Sequence, residues 1–188
     1  MSFERVTVLG AGSWGTALAR LMAERGVQVQ FWGRDEALMG SISEGRVNER
    51  YLPGVRLPEE IRITSDLALL EPADATLVVV PSKGFAPTLA QAAASGDPAR
   101  FGALVSCTKG VELGSGLRMS ELVQRHFPAA SVAVLSGPNH AEEVVKHLPT
   151  AAVVASENDE VGHHLQSLFT MPWFRSYRTT DVTGVEWA

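Results

Sequence analysis

An α/β fold on one doubly wound, mostly parallel sheet is what this sequence predicts, and three observations carry the prediction. Strand-like and helix-like segments alternate along nearly all of the 188 residues. The run Thr76-Leu77-Val78-Val79-Val80 lacks the apolar–polar alternation of a half-exposed strand, which marks burial on both faces, as in a parallel sheet. A glycine-rich turn, Gly10-Ala11-Gly12-Ser13-Trp14-Gly15, joins the first strand pattern to the first helix pattern. Strands separated by helices connect through right-handed βαβ crossovers, which build such a sheet.

Each element has its own signal. Val6-Thr7-Val8-Leu9 is β-rich and stops at Gly10. Beyond the turn, Trp14, Leu18, Leu21 and Met22 fall at i, i+4, i+7 and i+8, so they share one helical face. Gly26 ends that helix, and Val27 to Trp32 is the second strand. Ile61-Arg62-Ile63-Thr64 is a short strand, and Asp66 to Leu70 has room for no more than about two helical turns. After the central run come a helix at Pro87 to Ala94, a strand at Ala103 to Ser106, a helix at Met119 to Phe127 and a strand at Ser131 to Leu135. The last cycle has a helix after Pro138, a strand at Ala151 to Ala155, a helix at Glu160 to Phe169 and a strand at Phe174 to Tyr177. Arg46 to Pro58, with Pro53 and Gly54 inside it, reads as a long ordered loop rather than a boundary, so residues 1–188 form one domain.

Composition narrows the partners. With 45% hydrophobic residues and a formal net charge of −5, the chain has an ordinary globular composition, which excludes disorder and fibrous repeats. Only three lysines and a pI near 5.5 leave nothing to neutralise a run of nucleic-acid phosphates. No apolar run approaches the roughly 20 residues of a membrane span. Met1-Ser2-Phe3-Glu4-Arg5 leads straight into a strand without a signal peptide's apolar stretch, and the lone Cys107 cannot form an internal disulfide. A cytoplasmic protein is expected, with a small molecule as its partner and a homodimer left open.

The glycine turn fits G-x-G-x-x-G in the context its mechanism needs, between a strand end and a helix start. Gly10 allows the tight turn, Gly12 lets a pyrophosphate approach the backbone, and Gly15 lets the helix pack on the strand. The helix N-terminus near Ser13 then offers free N–H groups and partial positive charge to the phosphates. This is the signature of a Rossmann-type NAD(P)-binding domain. For NAD, an acidic side chain is expected at the end of the second strand, about 20 residues on. Here that end reads Phe31-Trp32-Gly33-Arg34-Asp35. An arginine pairs with a 2′-phosphate, so NADP is expected over NAD. Asp35 keeps NAD open, because a shift of one or two residues turns its carboxylate to the ribose; Arg34 could also be a solvated turn residue.

Other reactive side chains carry less. Nothing local activates Cys107 as a nucleophile. His140, Glu143 and His147 could share a helical face, but the spacing is not H-E-x-x-H, Pro149 limits the helix, and a solvated polar face is the expected reading. His163 and His164 are adjacent and point apart, so no metal site is expected.

Several segments, in order, resemble the bacterial-type NAD(P)-dependent glycerol-3-phosphate dehydrogenases. They are Gly10 to Ala17, Trp32-Gly33-Arg34-Asp35, Asn48 with Tyr51-Leu52-Pro53-Gly54, Val80-Pro81-Ser82, Thr108-Lys109-Gly110-Val111-Glu112, Ser136 to Glu143, and Gly184-Val185-Glu186. The resemblance implies reduction of dihydroxyacetone phosphate to sn-glycerol 3-phosphate for glycerophospholipid synthesis. It implies cofactor contacts at Ser13, Trp14, Arg34, Tyr51, Lys109 and Ala141, and substrate contacts at Lys109, Gly137 and Asn139. Trp14 and Tyr51 could equally be packing aromatics, and Asn139 could be a helix cap; family members often carry threonine, serine or alanine at its position. Another NADP-dependent hydroxy-acid dehydrogenase, or a dinucleotide sensor without catalysis, are the alternative readings.

The family's essential lysine follows its Gly-Val-Glu segment and leads into an all-helical domain. Here only Trp187 and Ala188 follow Glu186, and the last lysine is Lys146. On the resemblance, no catalytic residue falls within these 188 residues, and cofactor binding without turnover is expected.

Overall fold

Side-chain alternation along the strands decides how the sheet of this computed structural model is covered. The structure describes residues 3–188; the reading of Met1 and Ser2 as a start without a leader lies outside the described residues. In β1 (Arg5–Leu9) and β2 (Gln28–Trp32), Val6, Val8, Val29 and Phe31 enter one buried cluster, while Leu9 and Trp32 enter another. Successive residues of a strand face opposite sides, so both faces of this sheet are buried.

The first face carries α1 (Ser13–Glu24), α2 (Glu36–Gly45), the single turn α5 (Ala141–Val144) and α6 (Asp159–Phe169). Leu18, Leu21 and Met22 are buried there, as the helical spacing predicts, and half-buried Trp14 packs against the same cluster. The second face carries α3 (Ser82–Ala94) and α4 (Met119–His126), through Phe85, Leu89, Leu122 and Val123. Helix α7 (Val182–Trp187) lies over the end of that face, with Val182 against Val134 and Ala155.

The remaining strands are β3 (Val47–Asn48), β4 (Leu52–Arg56), β5 (Arg62–Thr64), β6 (Ala75–Val78), β7 (Ala103–Ser106), β8 (Val132–Ser136), β9 (Thr150–Ala155) and β10 (Phe174–Thr179). Eight strands form the sheet in the order β10-β9-β8-β7-β6-β1-β2-β5. Every neighbouring pair is parallel except β8 with β9. Thr76 to Val78 of the apolar run lie in β6, paired in parallel with β1 and β7, which accounts for their burial on both faces; Val79 and Val80 follow the strand's end.

Four departures from the sequence reading have physical causes. Arg46 to Pro58 is no loop: it contains the antiparallel pair β3–β4, anchored by buried Asn48, Leu52 and Leu57. Before it lies α2, unassigned from the sequence because Met39 and Ile42 alone are buried among glycines and serines. Helix α3 begins at Ser82 rather than Pro87; Pro87 is exposed within it, where water can serve the carbonyl that lacks an N–H partner. The helix after Pro138 is one turn, because the chain reverses at His147 (φ 56°) to enter β9.

A candidate dinucleotide site at the C-terminal edge of the sheet

From β1 the chain runs outward to β2 and β5, then returns to the other side of β1 as β6. The crevice between these two directions is where open α/β sheets hold ligands. The glycine turn sits there. Gly10, at φ 127°, is pressed against the Val79 carbonyl, and a side chain on Gly15 would strike the Gly10 carbonyl. Gly12 differs: a Cβ there would meet nothing within 4 Å. Two of the three glycines permit the turn and the packing of helix on strand, and the third leaves room above the backbone.

The start of α1 has no side-chain cap, a feature it shares with α3 and α5 but not with α2, α6 and α7. Asp35 caps α2, Asn158 caps α6 and Asp181 caps α7 through side-chain oxygens, whereas Gly12 at the start of α1 offers none. The first N–H groups of a helix need partners, and here they face the open side of Gly12. Ser13 and Trp14 occupy this first turn. A dinucleotide pyrophosphate fits this arrangement in charge and donor geometry.

At the end of β2, Gly33 is boxed in by the Met39 sulfur and the Ala11 methyl, so no larger residue fits. Arg34 follows, exposed and without an ion-pair partner among the described residues. Each oxygen of Asp35 has a partner: Oδ1 accepts from Leu38 N–H at 3.0 Å, and Oδ2 pairs with Arg50 Nη1 at 3.1 Å, with the side chain 44% exposed. Tyr51 is 43% exposed, with the Arg50 guanidinium 5.2 Å from its ring centre; it is no core aromatic.

The second half of the site lies at the ends of β7 and β8. Thr108 Oγ1 donates to Val80 O at 2.7 Å, joining the ends of β6 and β7. The next residue, exposed Lys109, donates from Nζ to Gly137 O at 2.8 Å and so bridges to β8. Lys109 and Gly137 line a cavity of about 530 Å³ with Ser136, Pro138, Val185 and Glu186. Asn139 is not a helix cap: its Nδ2 donates to Ala151 O at 2.7 Å, and His140 stands at the start of α5. Ala141 is buried in the apolar cluster that α1 also enters. A smaller cavity of about 380 Å³, by Arg118, Val132 and Asn158, lies at the start of β8, away from the glycine turn.

Some residues matter more than spacing indicated. Asn48, within a recognisable segment, is fully buried and bonds to the glycine turn. The side chain of Glu186 is 5% exposed and accepts from Ser120 N at 2.8 Å, Ser120 Oγ at 2.6 Å and Arg118 Nη1 at 2.9 Å. His147, read as solvated, contacts Glu24 at 2.9 Å and stacks on Trp173 at 4.5 Å. Cys107 is buried, and desolvation pushes its thiol far above the usual range, so it is held as the unreactive neutral form.

An open, mostly parallel sheet with an uncapped glycine turn at its switch point defines a Rossmann-type dinucleotide-binding domain. The family described as NAD-dependent glycerol-3-phosphate dehydrogenase N-terminus matches residues 5–162, and the chain belongs to that family. A relative from Carboxydothermus hydrogenoformans, named glycerol-3-phosphate dehydrogenase (NAD(P)+), is 44% identical over 185 residues, covering 97% of this chain and 54% of the relative. One of the same name from Streptomyces coelicolor is 43% identical over 187 residues, with 97% and 54% coverage. The crystal structure of glycerol-3-phosphate dehydrogenase from Coxiella burnetii superposes with a TM-score of 0.90 at 35% identity, over 97% of this chain and 56% of that one. The chain spans about half the length of the curated relatives it matches.

Proposed function

We propose that these residues form the NADP-preferring, dinucleotide-binding half of a cytoplasmic glycerol-3-phosphate dehydrogenase that serves glycerophospholipid synthesis. One observation carries the cofactor reading: the uncapped start of α1 lies at the switch point of the sheet, above a Gly12 with open space. The N–H groups near Gly12, Ser13 and Trp14 hold the pyrophosphate. Arg34 serves the 2′-phosphate, since both oxygens of Asp35 are already engaged. We take Tyr51 and Ala141 as further cofactor contacts.

When bound, the reduced nicotinamide supplies the hydride that converts dihydroxyacetone phosphate to sn-glycerol 3-phosphate. Lys109, Gly137 and Asn139 orient the substrate; Lys109 supplies positive charge toward its oxygens. For Asn139 the contact is limited to what remains after its bond to Ala151 O. The alkoxide formed at C2 also needs a proton donor. We place that donor in the part of the relatives that this chain does not span.

Calorimetry with NADPH and NADH, followed by an NADPH oxidation assay with dihydroxyacetone phosphate, tests the reading. NADPH is expected to bind more tightly than NADH, with no sustained oxidation. Absence of binding at millimolar cofactor overturns the cofactor assignment, and robust oxidation overturns the assignment of the proton donor.

A further inference from the structure

We infer that Asn48 is the positioning residue that makes the glycine turn competent to hold a pyrophosphate, an inference that rests on the cofactor reading above. Asn48 lies on β3, outside the βαβ unit that carries the turn, and is fully buried. Its amide makes three hydrogen bonds. Nδ2 donates to Ala11 O at 3.0 Å and to Thr16 Oγ1 at 2.8 Å, and Oδ1 accepts from Tyr51 N–H at 3.2 Å. The partners themselves fix the orientation of the amide: a carbonyl oxygen can only accept, and a backbone N–H can only donate.

The bond to Ala11 O has a consequence on the opposite side of the same peptide. The carbonyl and N–H of a trans peptide point in opposite directions within one plane, and no cis bond occurs among the described residues. Holding Ala11 O inward therefore turns Gly12 N–H outward, into the open space where a Cβ on Gly12 would meet nothing. Among the described residues Gly12 N–H has no protein acceptor, and Ala11 O takes part in no helical bond, since the first is Thr16 N–H to Gly12 O at 3.0 Å. Asn48 is thus the group that fixes this peptide. Thr16 completes the clamp: its hydroxyl accepts from Asn48 and donates to Gly12 O at 2.8 Å. The β3–β4 hairpin reaches the phosphate-facing backbone through one side chain, which also sets the backbone of Tyr51.

The test compares the chain with its Asn48→Asp, Thr16→Val and Thr16→Ser variants, using ADP-ribose, which carries the pyrophosphate without the nicotinamide. Calorimetry gives the Kd, NMR follows the Gly12 amide proton, and circular dichroism checks folding. In the unaltered chain the Gly12 amide shifts downfield on adding ADP-ribose. Asn48→Asp places an acceptor against Ala11 O; it is expected to lose that shift and weaken ADP-ribose by about tenfold or more, as for one hydrogen bond to a charged group. Thr16→Val is expected to weaken it about threefold, the loss of a modest hydrogen bond, and Thr16→Ser to stay within about twofold. Should Asn48→Asp fail to fold, the two Thr16 variants decide. Folded Asn48→Asp or Thr16→Val protein that binds within twofold of the unaltered chain, with the Gly12 shift intact, overturns this inference alone. An unaltered chain that does not bind ADP-ribose or NADPH overturns the cofactor reading as well.

Discussion

The Arg50 guanidinium pairs with Asp35 at 3.1 Å across the end of β2, while the other Asp35 oxygen caps α2 at 3.0 Å. In an NAD site a carboxylate at this place accepts from a ribose hydroxyl; here the Asp35 oxygens are already drawn to Leu38 N–H and Arg50, which compete for that role. The free cation beside it is Arg34. Replacing it as Arg34→Gln is expected to weaken NADPH about tenfold and NADH less than twofold, as for the loss of one charge-assisted hydrogen bond to a phosphate. Fluorescence titration with both cofactors measures this, and equal losses for the two would mean that Arg34 does not read the 2′-phosphate.

Gly12 and Gly15 separate binding from stability. Gly12→Ala adds a methyl where nothing lies within 4 Å, at an ordinary φ of −79°, so the midpoint of thermal unfolding should barely move. Its NADPH affinity should nevertheless fall at least about tenfold, because the methyl occupies the space needed by the pyrophosphate. Gly15→Ala drives a methyl into the Gly10 carbonyl. Overpacking of this kind costs about 1–3 kcal/mol, which for a chain of this size lowers Tm by roughly 2–12 °C. Scanning calorimetry that finds the opposite order would sink this division of roles.

Glu186 holds α7 to the start of α4 through three hydrogen bonds. Glu186→Ala removes the acceptor of all three and leaves Ser120 N–H and Arg118 to find other partners. A local loss of about 2–4 kcal/mol is expected, as for a buried carboxylate bonded to a cation. It should appear as faster amide exchange at Val185 with β1 amides unchanged. Unaltered exchange in α7 would mean that Val182 and Val185 dock the helix without this anchor.

Burial of Cys107 predicts an alkaline loss of stability. Its thiol titrates higher in the native state than its ordinary value of about 9. Above that value the unfolded chain releases a proton that the native chain keeps, so the native state binds more protons and stability falls as pH rises. The fall is about 1.4 kcal/mol per pH unit once the unfolded thiol has ionised. Urea unfolding at pH 8 and pH 10 should show a larger loss for the unaltered chain than for Cys107→Ala. Parallel losses would show that other groups set the alkaline limb.

The glycine turn, the β6 strand and the exposed arginine after β2 were legible from residues alone, because each signal lies within a few positions of chain. Lys109 could be placed at a strand end, but its bond to Gly137 O could not, since the partner lies on another strand. The direction of β9 was hidden as well: an apolar strand pattern is the same whether its neighbour runs parallel or antiparallel. Helix α2 escaped notice because Met39 is buried partly against the Gly33 backbone, a contact that sequence spacing does not mark.

The sequence by itself determined a dinucleotide turn and the family to which it belongs, because strand, glycines and helix start are contiguous and their chemistry is local. Only the tertiary structure decided how that turn is held. Asn48 reaches Ala11 and Thr16 across 37 and 32 residues, and Glu186 reaches Ser120 across 66. Such bonds depend on where folded elements meet, and a buried amide or carboxylate must find its partners there or destabilise the fold.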